Sequence, residues 1–475
     1  MLGMMFILET FFMLIALLVA LFYRGNDVVP FLQTSGITFV VGIIFYAIGF
    51  KANENNAGRR EGMLTVSLTW FLLSALGMLP FLLGGYVNNV ADAYFETMSG
   101  FTTTGASIIK DVEALPHGIV FWRSLLQWQG GIGMVVFTVA LLPIFGGGAT
   151  QMFNAQTTGI SHERFRPRVT QVAKRLWSVY VGLTIILAIL LWAGPMDLFD
   201  AINHALTTIS TGGYSTKNAS VGYWDSDYVY IILTIFMFIS SCNMTLIYYL
   251  FNGNIKKAFK DEELHWFFWI FVIFVVLTTG WLLYIGDTSS IGVALRKASF
   301  QVSTLISSTG FCPTDDFATW GTPFSFLAIL IMIICGCGGS TAGGLKAGRV
   351  AVLVKNLFNE FKKQTHPQAV IPVRMNGAAI PNDVVNRVLA FSFAYILLFF
   401  IGGLLLMLQG ISFEDSLGAS ITAISNCGPG LGKFTNGNFS EITDVAKWLL
   451  SFMMAVGRLE IFTVLTLLVP GFWKQ

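Results

Sequence analysis

The chain has 475 residues, 55% of them apolar, with 11% charged and a net charge of +2. Its mean hydropathy of +0.69 excludes an ordinary soluble domain, which needs far more polar surface. Near-neutral charge, with basic residues scattered over short loops, leaves no footprint for nucleic acid.

The first apolar stretch, Met4 to Tyr23, lacks a basic leader and contains Glu9, so it reads as a retained transmembrane helix and not a cleaved signal. Phe31 to Phe50 pairs with it, and with the following loop they make a leading segment, residues 1–62. Leu64 to Leu83, Phe267 to Ile285 and Leu389 to Leu408 are also long enough to cross ~30 Å of hydrocarbon.

Beyond residue 62 one pattern recurs four times at intervals of about a hundred residues. Its signatures are Phe101-Thr102-Thr103-Thr104-Gly105, Thr208-Ile209-Ser210-Thr211-Gly212, Ile306-Ser307-Ser308-Thr309-Gly310 and Ile424-Ser425-Asn426-Cys427-Gly428. Each follows an apolar span and a half-length helical segment (Asp92 to Phe101, Ala201 to Thr208, Val293 to Ile306, Asp415 to Ile424), and each precedes a polar stretch and a second span. The expected fold is an all-α polytopic membrane protein: four pseudo-fourfold helix, pore loop, helix repeats around one pore, preceded by two extra transmembrane helices. The repeats divide at 63–175, 176–266, 267–388 and 389–475.

Lysine and arginine mark cytoplasmic loops. They concentrate between repeats, at Lys51, Arg59 and Arg60, then Arg164, Arg166, Arg168, Lys174 and Arg175, then Lys256, Lys257 and Lys260, then Lys355, Lys362, Lys363, Arg374 and Arg387. All four glycine loops then face outside and the N-terminus is cytoplasmic, with Arg24 a minor exception. An inverted-repeat transporter, the competing architecture, would alternate its repeats.

Irregular backbone at membrane depth persists only where protein buries it or where it lines an aqueous path. Glycine frees the backbone, rings of carbonyls can replace the water shell of a cation as in potassium filters, and the carboxyl ends of the half-helices add partial negative charge. The candidate ion-binding residues are Thr103, Thr104, Gly105, Ser210, Thr211, Gly212, Ser308, Thr309, Gly310, Asn426, Cys427 and Gly428.

In repeat three, Cys335 to Lys346 is too rich in glycine to remain helical and follows an apolar half-span, Phe324 to Ile334. Gly338, Gly339, Ser340, Thr341, Gly343, Gly344 and Lys346 are candidates for a mobile gate beneath the filter; a packing cluster of the GxxxG kind is the alternative. Within the last span, Trp448 to Leu468, Arg458 and Glu460 are ionisable groups in an apolar helix. Arg458 is a candidate barrier to cations and Glu460 an anchor for it or for the neighbouring helix; a structural ion pair is the alternative.

The five cysteines and five histidines have no metal-ligand or triad spacing, and no nucleotide-binding glycine pattern follows a strand. No metal other than potassium, no cofactor in this chain and no enzymatic activity are expected.

With these motifs, the chain resembles the Trk/Ktr/HKT superfamily of potassium transporters, most closely its bacterial TrkH/TrkG branch. The likeness rests on the four filter segments, Arg59-Arg60-Glu61-Gly62, Trp128-Gln129-Gly130-Gly131-Ile132-Gly133, the Cys337 to Lys346 run and Gly457-Arg458-Leu459-Glu460. It implies potassium uptake across a bacterial cytoplasmic (inner) membrane, channel-like or coupled to sodium or protons. It further implies a homodimer with one pore per subunit, a cytoplasmic nucleotide-binding regulatory ring of the TrkA type, and gating by the intramembrane loop and Arg458. Because a serine at the first filter glycine accompanies sodium selectivity in related plant proteins, Gly105 implies potassium. Two departures stand out: Cys427 replaces a threonine, and Ser240-Ser241-Cys242-Asn243 lacks the glycines usual after the second filter.

Overall fold

The computed structural model describes residues 1–50, 59–141, 165–313 and 317–473. Lys51 and Arg164, and the side chains of Arg59, Arg166 and Arg168, used above for topology, lie outside this description.

Two long helices, α1 (Leu2–Phe22) and α2 (Val28–Gly49), pack on one another at the N-terminus. Gly3 and Gly42 make that approach possible: a β carbon on Gly3 would sit 2.7 Å from the Gly42 carbonyl oxygen. Small residues at such crossings are the usual device where water does not drive association.

The first unit has α3 (Arg59–Gly77) and α4 (Leu79–Leu83), the half-length α5 (Val90–Phe101) and α6 (His117–Leu141). The second has α7 (Phe165–Trp192), the half-length α8 (Leu198–Ile209) and a broken span, α9 (Asp227–Ser240) with α10 (Met244–Phe251), followed by the single turn α11 (Ile255–Ala258). The third has α12 (Glu262–Tyr284), the half-length α13 (Ile291–Ile306), α14 (Thr322–Ile334) and α15 (Ala347–Thr365). The fourth has α16 (Asn382–Met407), the half-length α17 (Phe413–Ser425) and another broken span, α18 (Asp444–Arg458) with α19 (Ile461–Leu465). Six described helices are long and apolar enough to cross a membrane, or eight if each bent pair counts as one span. The chain is a multi-pass membrane protein.

The units close on themselves. The second span of each packs on the half-length helix of the next: α6 on α8, α9 on α13, α14 on α17, and α18 back on α5.

Two spans break where a continuous helix was expected. The last span, read as Trp448 to Leu468, bends by 116° between α18 and α19, with Glu460 at φ 57°. The second span of unit two bends by 108° between α9 and α10. No glycine or proline marks that break; Asn243 does, because its side chain accepts the Thr245 amide at 2.9 Å and starts α10 afresh.

Beyond α15, β1 (Arg374–Met375) pairs with β2 (Ala378–Ala379) across Asn376 and Gly377, both at positive φ as a tight hairpin requires. Val352, Met375, Ile380 and Val385 form a small apolar cluster there, separate from the main core.

Candidate functional site

The four half-length helices each run from the surface to the interior. Their first residues, Val90, Leu198, Ile291 and Phe413, are exposed, and their last, Phe101, Ile209, Ile306 and Ser425, are buried. Asn89, Asp197 and Ser412 cap three of the exposed ends through their side chains. The buried ends place partial negative charge inside the protein.

Each helix is left through one residue in the left-handed region: Thr103 (φ 53°), Thr211 (58°), Ser308 (58°) and Asn426 (54°). Asparagine tolerates this conformation, but for a β-branched threonine it is an outlier costing roughly 1–3 kcal/mol, a kind of strain that collects at functional sites.

These dihedrals correct the alignment in unit two. The Thr104, Gly212 and Cys427 amides each bond the carbonyl five residues back, on Ser99, Thr207 and Thr422. The Gly213 and Gly310 amides each reach back six residues, to Thr207 and Thr304. Gly105, Gly213 and Gly310 are the next positive-φ residues. The counterpart of Gly105 is therefore Gly213, not Gly212, and Thr211 corresponds to Thr103.

The four glycines form a closed circuit. A β carbon on Gly105 would strike the Gly212 carbonyl oxygen, one on Gly213 the Thr309 carbonyl oxygen, and one on Gly310 would lie 2.8 Å from the Gly428 amide nitrogen. One on Gly428 would lie 3.2 Å from the carbonyl oxygens of Gly105 and Thr104. Four backbones thus meet where a side chain does not fit at Gly105, Gly213 or Gly310 and would be tight at Gly428.

The corrected alignment changes which side chains support the ring. Thr104 bonds Thr102 at 2.8 Å between hydroxyls, and Thr309 bonds Ser307 at 2.7 Å in the same way. Unit four has Cys427 at that position and unit two has Gly212, so only two units carry the hydroxyl. Gln127 of α6 fills the space beside Gly212: its amide nitrogen donates to the Gly212 carbonyl at 2.7 Å, and its oxygen accepts the Tyr214 amide at 3.1 Å. Asn426 donates to the Thr104 hydroxyl at 3.1 Å, joining units four and one. The Thr103 hydroxyl and the Asn426 side-chain oxygen are buried with no hydrogen-bond partner among the described residues.

A buried pair braces unit one. Glu96 accepts Arg123 Nε at 2.8 Å and the Ile108 amide at 2.9 Å, while the Arg123 guanidinium lies 4.1 Å from the Tyr214 ring centre.

Between α14 and α15 the glycine run is non-helical, as its composition predicted, and it lies directly against the buried helix ends. The Thr341 hydroxyl donates to the carbonyls of Ile209 at 3.1 Å and Ser240 at 3.2 Å. The Gly343 amide donates to the Ser308 hydroxyl at 2.9 Å, and a β carbon on Gly343 would strike the Ser425 carbonyl. Gly339 (φ 73°) and Gly344 (φ 67°) take left-handed conformations. Gly338 and Ser340 lie beside them, the Ser340 hydroxyl bonding the Cys337 carbonyl at 2.6 Å.

Arg458 bonds carbonyls alone: Thr341 of this run at 2.6 Å and Gly130 of α6 at 3.2 Å. The Lys346 ammonium donates to Ala342 within the run. Neither cation is ion-paired among the described residues. Glu460 anchors the neighbouring helix and not Arg458, pairing with Arg349 of α15 at 2.7 Å.

Sequence reasoning missed Glu263, at the start of α12. One oxygen of its carboxylate accepts the Gly338 amide at 2.6 Å and the Gly348 amide at 2.9 Å, one within the run and one just beyond it. A first-turn acid normally reads as a helix-dipole partner, and nothing in its spacing links it to a loop some eighty residues away.

Comparison with known proteins agrees with this architecture. The TrkH family, described as cation transport protein, matches residues 33–474. The chain is 38% identical to the Trk system potassium uptake protein TrkH of Escherichia coli K12, covering 100% of this chain and 98% of that protein. It is 32% identical to TrkG of the same organism over 98% of this chain and 95% of the relative. The crystal structure of the potassium transporter TrkH from Vibrio parahaemolyticus superposes with a TM-score of 0.91 at 37% identity, covering 99% of this chain and 98% of that one. These relatives are transporters, not enzymes.

Proposed function

From the premise that the chain belongs to the TrkH family of cation transport proteins, we propose that it takes up potassium across the bacterial cytoplasmic membrane through the ring formed by Gly105, Gly213, Gly310 and Gly428. The closed circuit of four glycines carries this reading. Backbone fills that space almost to the exclusion of side chains, and backbone carbonyls are what replaces the hydration shell of potassium. The Thr103 hydroxyl, buried and unpartnered two residues before Gly105, adds a further free oxygen to the same segment. Potassium is the transported substrate, and no resident cofactor is invoked.

In this reading the loop around Thr341 and Gly343, held by Arg458, is the closed gate. Two cations, Arg458 and Lys346, bear on it beneath the ring, where positive charge repels a cation. The membrane potential drives uptake, supplying about 2.3 kcal/mol per charge for each 100 mV. A cytoplasmic N-terminus, read from the lysine and arginine distribution, together with a second copy of the chain and a cytoplasmic nucleotide-binding ring of the TrkA type, both implied by the family resemblance, complete the proposal.

The test is potassium flux into liposomes containing the purified protein, with voltage clamped by an ionophore and sodium as competitor. Voltage-driven, sodium-excluding flux with no other ion gradient supports the pore. Flux that requires a sodium or proton gradient makes the protein a coupled transporter instead.

A further inference from the structure

A second feature lies away from the ring. The 108° bend between α9 and α10 turns α10 away from the line of its span and opens a cavity of about 670 Å³. Its lining, including Phe238, Leu246, Leu250, Phe259, Phe268 and Trp269, is almost wholly apolar. The volume falls within the ~300–1,000 Å³ typical of ligand sites.

Its walls belong to membrane spans, and at one end lies α11. Phe259 lines the cavity there, and Lys256, Lys257 and Lys260 flank it in sequence, all exposed. The neighbouring acids are already engaged. Asp261 accepts the Leu264 amide at 3.0 Å, Glu262 pairs with Lys355, and Glu263 holds the two glycine amides. None of the three lysines has an ion pair among the described residues; Lys257 donates to the Tyr249 hydroxyl at 3.2 Å and rests 4.2 Å from its ring centre. An apolar slot in membrane spans, with unneutralised lysines flanking its lining residue Phe259 in sequence, suits an amphiphile with a negative head.

We propose that this cavity is a binding site for an anionic phospholipid, one acyl chain filling the slot and the phosphate resting on Lys256, Lys257 and Lys260. The proposal does not depend on what the ring conducts. It has a structural consequence: Cys242, in the wall, lies between Ser241, whose carbonyl accepts the Cys337 amide at 2.8 Å, and Met244, whose amide donates to Gly339 at 3.2 Å. The lipid would therefore sit against the segment that holds the glycine run.

Native mass spectrometry of the full chain, exposed in detergent to phosphatidylglycerol or phosphatidylcholine of identical acyl composition, tests this. We expect phosphatidylglycerol to be retained about tenfold more tightly. That preference should vanish in the triple variant Lys256→Ala, Lys257→Ala, Lys260→Ala, and Leu250→Trp should lose the lipid. Equal retention of the two lipids by the unmodified chain overturns the proposal, as does unchanged retention in the lysine variant, whose exposed positions keep the fold intact. So does a change of oligomeric state in Leu250→Trp, which would make a second copy the occupant.

Discussion

The guanidinium of Arg458 donates to the carbonyl oxygen of Thr341 at 2.6 Å, joining the break in the last span to the loop beneath the ring. A buried arginine bonded only to carbonyls carries an uncompensated charge, which the proposed pore would put on the path of the cation. Arg458→Ala removes both the bond and the charge. We expect potassium flux in the absence of any regulatory partner to rise at least about tenfold, as a charge-assisted bond of roughly 1.5–3 kcal/mol is lost from the closed state. Arg458→Lys, with one compact donor in place of the fork, should fall between. Liposome flux assays on monodisperse protein check both, and a variant that merely fails to fold would favour a structural arginine.

Glu263 permits a cleaner dissection of the same loop, because both glycine amides bond a single carboxylate oxygen. Glutamine keeps an oxygen able to accept two donors, whereas alanine leaves two amides unpaired at about 1–3 kcal/mol each. Glu263→Gln should conduct within about threefold of the unmodified chain, while Glu263→Ala should leak about tenfold or more without partner. Equal leak in both would assign the effect to charge and not to the bonds.

The Glu96–Arg123 pair is buried on both sides, so removing one partner strands a charge. Arg123→Leu should cost roughly 3–5 kcal/mol, and Glu96→Gln with Arg123→Met much less, since the paired replacement leaves no stranded charge. The midpoint of thermal unfolding, followed by size-exclusion chromatography after heating, separates the two.

Much of this architecture was legible in the sequence, because small polar residues before a glycine, repeated four times between apolar spans, have few physical explanations. The alignment of unit two was not. Thr211-Gly212 matches the letters of Thr104-Gly105, yet α8 ends at Ile209 and the left-handed turn falls on Thr211 itself. Adjacent glycines, 212 and 213, leave the letters ambiguous, and only the hydrogen bonds decide. The bend at Ser241 to Asn243 was hidden for a related reason: an asparagine cap inside an apolar run looks like one more polar residue. The repeat boundaries at 63, 176, 267 and 389 fall inside α3, α7, α12 and α16, whose polar first turns continue the helix beyond the apolar stretch.

The corrected alignment predicts that the two adjacent glycines respond differently to the same change. A β carbon at Gly212 collides with the Gln127 side chain, which can move, whereas one at Gly213 collides with the Thr309 carbonyl oxygen, which belongs to the ring, and must also hold φ 77°. Gly213→Ala should abolish selective flux, and removing Gln127 should not restore it. Gly212→Ala and Gln127→Ala should each impair flux, but together by less than the product of the two effects, because the first change makes the second nearly redundant. Reversal potentials in potassium–sodium mixtures, with Gly105→Ser as the comparison expected to admit sodium, read the outcome directly. If Gly213→Ala keeps its discrimination while Gly212→Ala loses it irrespective of Gln127, the ring position belongs to Gly212.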